Sequence, residues 1–170
     1  RMAARVGLQV GGAIANAQLY SEWKKTEEEL RKSEMYNRTL VEAASQAKEG
    51  VIVIQDEETR EAAIAFANEA VSRITGYDPL ELQRLSWFDL ISPHDRQAVK
   101  DRYRKRLRGE AIKDFLEIRI VRKDGTEIAI EVSASTTQFN AKPATVGFFR
   151  DISDRKKAEV ERIQSERRLR

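Results

Sequence analysis

The segment from 116 to 134 constrains the fold more than any other. Leu116, Ile118 and Ile120 alternate with Glu117, Arg119 and Val121, and beyond Lys123-Asp124-Gly125-Thr126 the alternation resumes. There Ile128, Ile130, Val132 and Ala134 stand against Glu127, Ala129, Glu131 and Ser133. A period of two marks strands with one apolar and one wet face, and the Asp-Gly pair between them suits a primed hairpin turn. A lone hairpin is marginal in water, so the rest of the chain must supply more strands and a cover for the apolar face.

Both flanks do so. Upstream, Gly50 is expected to end a helix, and Val51-Ile52-Val53-Ile54 reads as a short buried strand. After a polar loop at 57–61, a second strand is expected over 63–67. At Phe66-Ala67-Asn68 a helical spacing takes over (Ala67, Val71, Ile74), with Asn68 as N-cap and Gly76 as a left-handed stop. Asp78-Pro79 opens another short helix, and Leu85-Ser86-Trp87-Phe88-Asp89-Leu90-Ile91 reads as a further turn. Ser92-Pro93-His94-Asp95-Arg96 starts a longer helix running to Leu107, on which Val99, Tyr103 and Leu107 share a face. Downstream, a loop at 140–143 leads into the strand Thr145-Val146-Gly147-Phe148-Phe149-Arg150. Two strands, a helical block and three strands make an α+β domain.

Residues 1–48 contain no proline and carry apolar or small residues at Leu8, Gly12, Ala15, Leu19, Trp23, Thr26, Leu30, Ser33 and Leu40. Steps of four and three predict one long helix whose face reads as a dimeric coiled-coil seam or, alternatively, as an amphipathic stripe folded back on its own domain. Acid-first pairs such as Glu27–Arg31 and Glu28–Lys32 support it. At the other end, 153–170 is a charged helix with a broken apolar stripe (Ile152, Val160, Ile163, Leu169) and Ser153 as its expected N-cap.

Several kinds of chemistry are excluded or disfavoured. The chain has no cysteine and one histidine, His94, which removes disulfides, thiolate metal sites and cysteine nucleophiles. No phosphate-binding glycine loop or Gly-x-Ser-x-Gly elbow appears. Charged residues are 35% of the chain, yet the net charge is only +3, so no strong case for nucleic acid follows. The helix from Asp95 to Arg108 carries seven bases, but Asp101 interrupts them and no aromatic platform accompanies them. A DNA-binding use stays as a third possibility. No apolar run reaches membrane-spanning length, and a cytoplasmic location is expected. The beginning at Arg1 and the helix-like end at Arg170 suggest a piece of a longer chain.

Four motifs in order resemble a PAS domain over about residues 42–157: Phe66-Ala67-Asn68 to Gly76-Tyr77, then Leu90-Ile91-Ser92-Pro93-His94-Asp95-Arg96, then Arg122-Lys123-Asp124-Gly125-Thr126, and last Val146-Gly147-Phe148-Phe149-Arg150-Asp151-Ile152-Ser153. The resemblance implies a five-stranded antiparallel sheet with short helices over one face, enclosing a small pocket. It divides the chain into a helical linker (1–48), the PAS domain (49–152) and an exit helix (153–170). The segment from Val6 to Tyr20 resembles the closing helix of a GAF domain.

Pocket candidates are Phe66, Asn68, Ile74, Trp87, Phe88, Ile91, Ile118, Ile130 and Phe148, although any small core would supply such a set and Asn68 is already explained as a cap. A small apolar or weakly polar ligand would fit. The resemblance disfavours haem and flavin: haem-binding members carry an axial His on the long helix and photosensory members a reactive Cys, whereas here His94 sits in the turn before that helix and no cysteine stands near Gly76-Tyr77-Asp78-Pro79. In the family, Asp151 and Ser153 would anchor the signal-exit junction toward an effector such as a histidine kinase or diguanylate cyclase. The reading is a non-enzymatic, homodimeric sensory module; the alternative is a ligand-free interaction and dimerisation scaffold.

Overall fold

The hairpin forms one edge of a five-stranded sheet in a computed structural model that describes residues 2–113 and 115–168, with side chains of the first helix from residue 12 onward. The strands are β1 (Gly50–Gln55), β2 (Ala63–Ala67), β3 (Phe115–Val121), β4 (Glu127–Phe139) and β5 (Lys142–Asp151). They pair antiparallel throughout in the order β2-β1-β5-β4-β3. The helices are α1 (Met2–Gln46), α2 (Glu69–Thr75), α3 (Pro79–Leu82), α4 (Trp87–Leu90), α5 (Pro93–Leu107) and α6 (Ser153–Arg168). The α+β architecture is therefore as expected.

The chain divides into two compact units, residues 1–40 and 41–170. The first is helix from Met2 onward, and its large side chains Leu19, Trp23, Leu30, Met35 and Tyr36 are all exposed. Leu8 of the expected seam, the first half of the GAF-like segment and Leu169 lie outside the residues whose side chains are described.

Local sequence chemistry sets the helix ends. Asn68 Oδ1 accepts from Val71 N at 3.2 Å, and Gly76 (φ 79°) donates its N–H to Ser72 O at 2.8 Å. Asp78/Glu81 and Ser86/Asp89 form reciprocal capping boxes that start α3 and α4. Ser92 stands at the start of α5 but makes no cap; its hydroxyl donates to Glu127 Oε1 at 2.7 Å.

Three expectations are corrected here. Gly50 does not end α1: the helix stops at Gln46, and Lys48 (φ 62°) takes the left-handed position. Lys48 N–H donates to Ser45 O and Glu49 N–H to Ala44 O, the paired bonds of a Schellman stop. Gly50 is needed for close approach, since a Cβ there would lie 2.9 Å from Phe149 Cζ. The Asp124-Gly125 turn is not primed either. Only Gly125 has positive φ (84°), and Arg122 N–H donates to Thr126 O around a three-residue loop of the bulged type. The primed turn falls instead at Asn140-Ala141 (φ 51° and 58°), between paired Phe139 and Lys142. Where a loop was expected at 140–143, β4 and β5 form a long tight hairpin.

One face of the sheet is covered by the helical block. Ile52, Ile54, Ile118, Ile120, Ile130 and Phe149 meet Val71, Leu82, Trp87, Phe88, Leu90, Val99 and Tyr103 in a single core. Trp87 packs on Phe149 with ring centroids 5.5 Å apart, and Phe88 meets Tyr103 edge-on at 5.6 Å. Backbone bridges Ala63–Ser86 and Ile91–Ile120 tie the helical block to both edges of the sheet. Among the described residues no helix is long and apolar enough to cross a membrane.

Candidate functional site

Between the covered face and α5 lies a cavity of about 50 Å³. Its floor comes from inward positions of four strands: Ile52 and Ile54, Leu116 and Ile118, Val132 and Ala134, Thr145 and Gly147. Trp87 of α4 and Val99, Arg102, Tyr103 and Arg106 of α5 form the opposite wall. The small residues Ala134 and Gly147 leave this space; a Cβ on Gly147 would already press on Ile52 Cγ2 at 3.1 Å.

Three polar features break the apolar lining. Thr145 is 1% exposed, and its Oγ1 has no hydrogen-bond partner. Tyr103 donates its hydroxyl to Asp56 Oδ1 at 2.8 Å, and burial together with this bond pushes its pKa well up. Arg102 and Arg106 are half-buried one helical turn apart. Arg102 donates through Nη2 to Lys113 O, while burial and the Arg102 charge hold the Arg106 pKa below the usual arginine value.

Of the nine pocket candidates, Trp87 and Ile118 line the cavity. Ile74, Phe88, Ile91 and Ile130 are core residues around it. Asn68, 4% exposed, is a latch: beyond its cap, Oδ1 accepts from Val51 N and Nδ2 donates to Glu49 O, both at 3.0 Å. Phe66 and Phe148 sit on the opposite face of the sheet. A β-bulge between Val53 and Ile54 changes the phase of β2, so Phe66 pairs with outward Val53 while Ile64 stays inside. In β5 the inward phase is Thr145, Gly147, Phe149; Phe149 is 1% exposed and Phe148 is 44% exposed, beside Val51 and Ser133.

Sequence reasoning missed Thr145, Gly147 and the two arginines. The β4 alternation carried a usable signal, since Val132 and Ala134 share the phase of Ile130.

The expected exit junction is built differently from its reading. Asp151 Oδ1 accepts from Ser153 N at 2.8 Å, so the carboxylate anchors the start of α6. Ser153 Oγ, by contrast, is buried and has no partner, and so does not cap. Around this point Glu131 of β4 binds Arg150 at 2.7 Å and Arg155 at 3.3 Å. Arg155 also reaches Glu117 of β3 at 2.9 Å, and Lys156 joins the same carboxylate. The Arg150 bond, aided by Arg155, holds the Glu131 carboxyl below the usual range.

His94 is exposed and does not line the cavity. The bases of α5 are largely engaged within the domain: Arg104 with Glu61, Arg96 with Ile91 O, and Lys100 over the Phe88 ring. No group of His, Asp or Glu suited to a metal occurs among the described residues.

The family model described as PAS fold matches residues 64–148. Among solved structures, a sensory box histidine kinase/response regulator from Burkholderia thailandensis is 22% identical, with a TM-score of 0.54 over 75% of this chain and 94% of that one. A Light-Oxygen-Voltage domain is 22% identical, with a TM-score of 0.55 over 75% and 96%. A PAS domain from Colwellia psychrerythraea is 18% identical, with a TM-score of 0.56 over 70% and 98%. Among curated proteins no sequence matches. With half of its residues matched by that model and the sheet closed by helices on one face, this chain belongs to the PAS-fold family.

Proposed function

We propose that this chain is a non-enzymatic sensory module that passes a ligand-derived bias through its flanking helices to an effector in the same protein. The observation that carries the reading is the cavity's position. Its floor residues Val132 and Ala134 lie on β4, the strand whose outward Glu131 holds the start of α6 through Arg155. A ligand that changes the packing on one face therefore acts on a strand clamped to the exit helix on the other. It shifts the balance between two packings only by its differential affinity for them.

The effector, a histidine kinase or diguanylate cyclase, belongs to the proposal, as do the cytoplasmic location and the GAF-like origin of residues 1–20. So does homodimerisation through α1. An isolated helix is marginal in water, and the exposed Leu19, Trp23 and Leu30 fit a seam awaiting a second copy. Single cysteines placed along 19–40 should crosslink between copies at seam positions; crosslinks without that periodicity would refute the seam.

Native mass spectrometry of the purified chain, with a thermal-shift panel of small metabolites, tests the sensory reading. A retained or stabilising small molecule is expected. Repeated absence of both would favour the scaffold reading, which draws its support from Phe115 and Phe148, exposed on the outer face of the sheet.

A further inference from the structure

We infer that the cavity takes a small organic anion: a carboxylate on a short apolar body, with the carboxylate on Arg106 and Arg102 and the body against Trp87, Ile52 and Ile118. The inference rests on the ligand-binding reading above and specifies the chemistry of that site.

The first observation is an imbalance of charge along α5. Of its other bases, Arg104 pairs with Glu61 and Arg108, just past the helix end, with Glu110, while Arg96 and Lys100 meet the Ile91 carbonyl and the Phe88 ring. The two arginines that line the cavity have no acidic partner among the described residues, although both are half-buried. Arg102 has one Nη2 contact with the Lys113 carbonyl, a neutral acceptor. Taking a cation out of water without an anion is unfavourable, and the lowered Arg106 pKa reports that cost. A chain with abundant carboxylates leaves this pair for something else to neutralise.

The second observation is independent. Thr145 Oγ1 is buried with no partner, in a residue that lines the same cavity. An unsatisfied buried hydroxyl is uncommon in a settled core. A ligand oxygen would supply what it lacks.

The remaining lining decides between ligand classes. A wholly apolar molecule would leave both guanidinium groups and the hydroxyl unanswered. A bare phosphate would answer the charges but leave Trp87, Ile52 and Ile118 against a polar ion. A carboxylate on a short body meets both, and guanidinium matches carboxylate geometry with two parallel bonds. The cavity of about 50 Å³, a third of the ~150 Å³ that holds benzene, limits the body to about two or three carbons.

Propionate and its neutral counterpart 1-propanol, titrated by calorimetry and by amide NMR shifts into the whole 170-residue chain, provide the test. Propionate should bind roughly tenfold or more tightly than propanol, as one charge-assisted interaction implies. Arg106→Gln should erase that preference, Thr145→Val should weaken propionate, and Ala134→Leu, which fills the cavity, should abolish both ligands. Equal binding of the two in the wild type, with both lost in Ala134→Leu, would overturn the anion and leave the cavity as a ligand site. Propionate binding that survives Ala134→Leu lies elsewhere and would overturn both. Should Ala134→Leu fail to fold, the NMR shifts and the Arg106→Gln and Thr145→Val affinities still decide.

Discussion

Replacing Asn68 by alanine separates a helix cap from a latch. As a cap alone the side chain would contribute about 1 kcal/mol. The structure gives it three bonds: acceptance from Val71 N and Val51 N, and donation to Glu49 O. Two of these reach the start of β1, which Asn68 also grips through its own N–H to Val51 O. In Asn68→Ala the buried Val51 N–H loses its side-chain acceptor, at about 1–2 kcal/mol, and the Glu49 carbonyl loses a donor, at about 1 kcal/mol. With the cap, the total is about 3–4 kcal/mol, a large fraction of the stability of an ordinary domain. Urea denaturation followed by circular dichroism should show the midpoint falling by roughly 2 M, taking a slope of about 1.5–2 kcal/mol/M. Asn68→Asp keeps both accepted bonds, loses the donor, and should cost only about 1–2 kcal/mol. A loss in Asn68→Ala of less than about 1 kcal/mol, with an unchanged slope, would refute the latch and leave only the cap.

The other predictions concern single features. Thr145→Val should raise the ligand-free stability by about 1 kcal/mol in urea, because it removes a buried hydroxyl with no partner; a loss would mean that the hydroxyl is satisfied. Lys48→Gly should add about 0.5–1 kcal/mol by relieving the left-handed backbone at φ 62°, read as a higher thermal midpoint. Phe149→Ala should cost about 3–5 kcal/mol while Phe148→Ala costs under about 1 kcal/mol, and the reverse order would put the wrong face of β5 inside. Asp95 is held below the usual carboxylate range by the Arg119 guanidinium and backbone N–H. Its folded-state pKa therefore lies below the unfolded value of about 3.9. The stabilisation is present above that value and lost as pH falls through the folded one. Stability of Asp95→Asn should accordingly fall less steeply than wild type in acid titrations below about pH 4; parallel curves would remove Asp95 from the acid response.

What could be read from the sequence followed the range of each interaction. Asn68, Gly76 and Asp78-Pro79 act within a turn of themselves, and their roles as cap, stop and helix start follow from local chemistry. Side-chain phase is equally legible where the alternation is clean, as along Ile128, Ile130 and Val132. It fails in β5, where hydropathy favours Val146 and Phe148 as the inward pair. Thr145, Gly147 and Phe149 go inside because Gly147 must pass close to Ile52 and Phe149 must meet Trp87. It fails again at Phe66, because a bulge opposite Val53 depends on the partner strand and leaves no mark in five residues of apolar sequence. Arg106 was hidden for a different reason. Seven bases on one helix look alike in sequence, and only the packing of α5 decides which of them lack a carboxylate.

The clamp on α6 bears on how strong a signal must be. Its ion pairs join Glu117, Glu131, Arg150, Arg155 and Lys156, side chains mostly 44–54% exposed, with Glu131 at 19% the most sheltered. Exposed pairs of this kind contribute about 0–1 kcal/mol each and weaken with salt. The junction also has few backbone ties, Ile152 N–H to Ala129 O and Lys156 N–H to Ile152 O. The clamp therefore fixes where α6 starts without making that position costly to leave. A coupling of about 1–3 kcal/mol, the usual size between linked sites, is enough to reset it. The small acid proposed above, neutralising two half-buried arginines, would be of a strength to supply that difference if it bound one packing of β4 better than the other. On the reading proposed above the core and the junction serve different ends: the core would hold the cavity in shape, and the weak ion pairs would leave the exit helix free to answer a bound ligand.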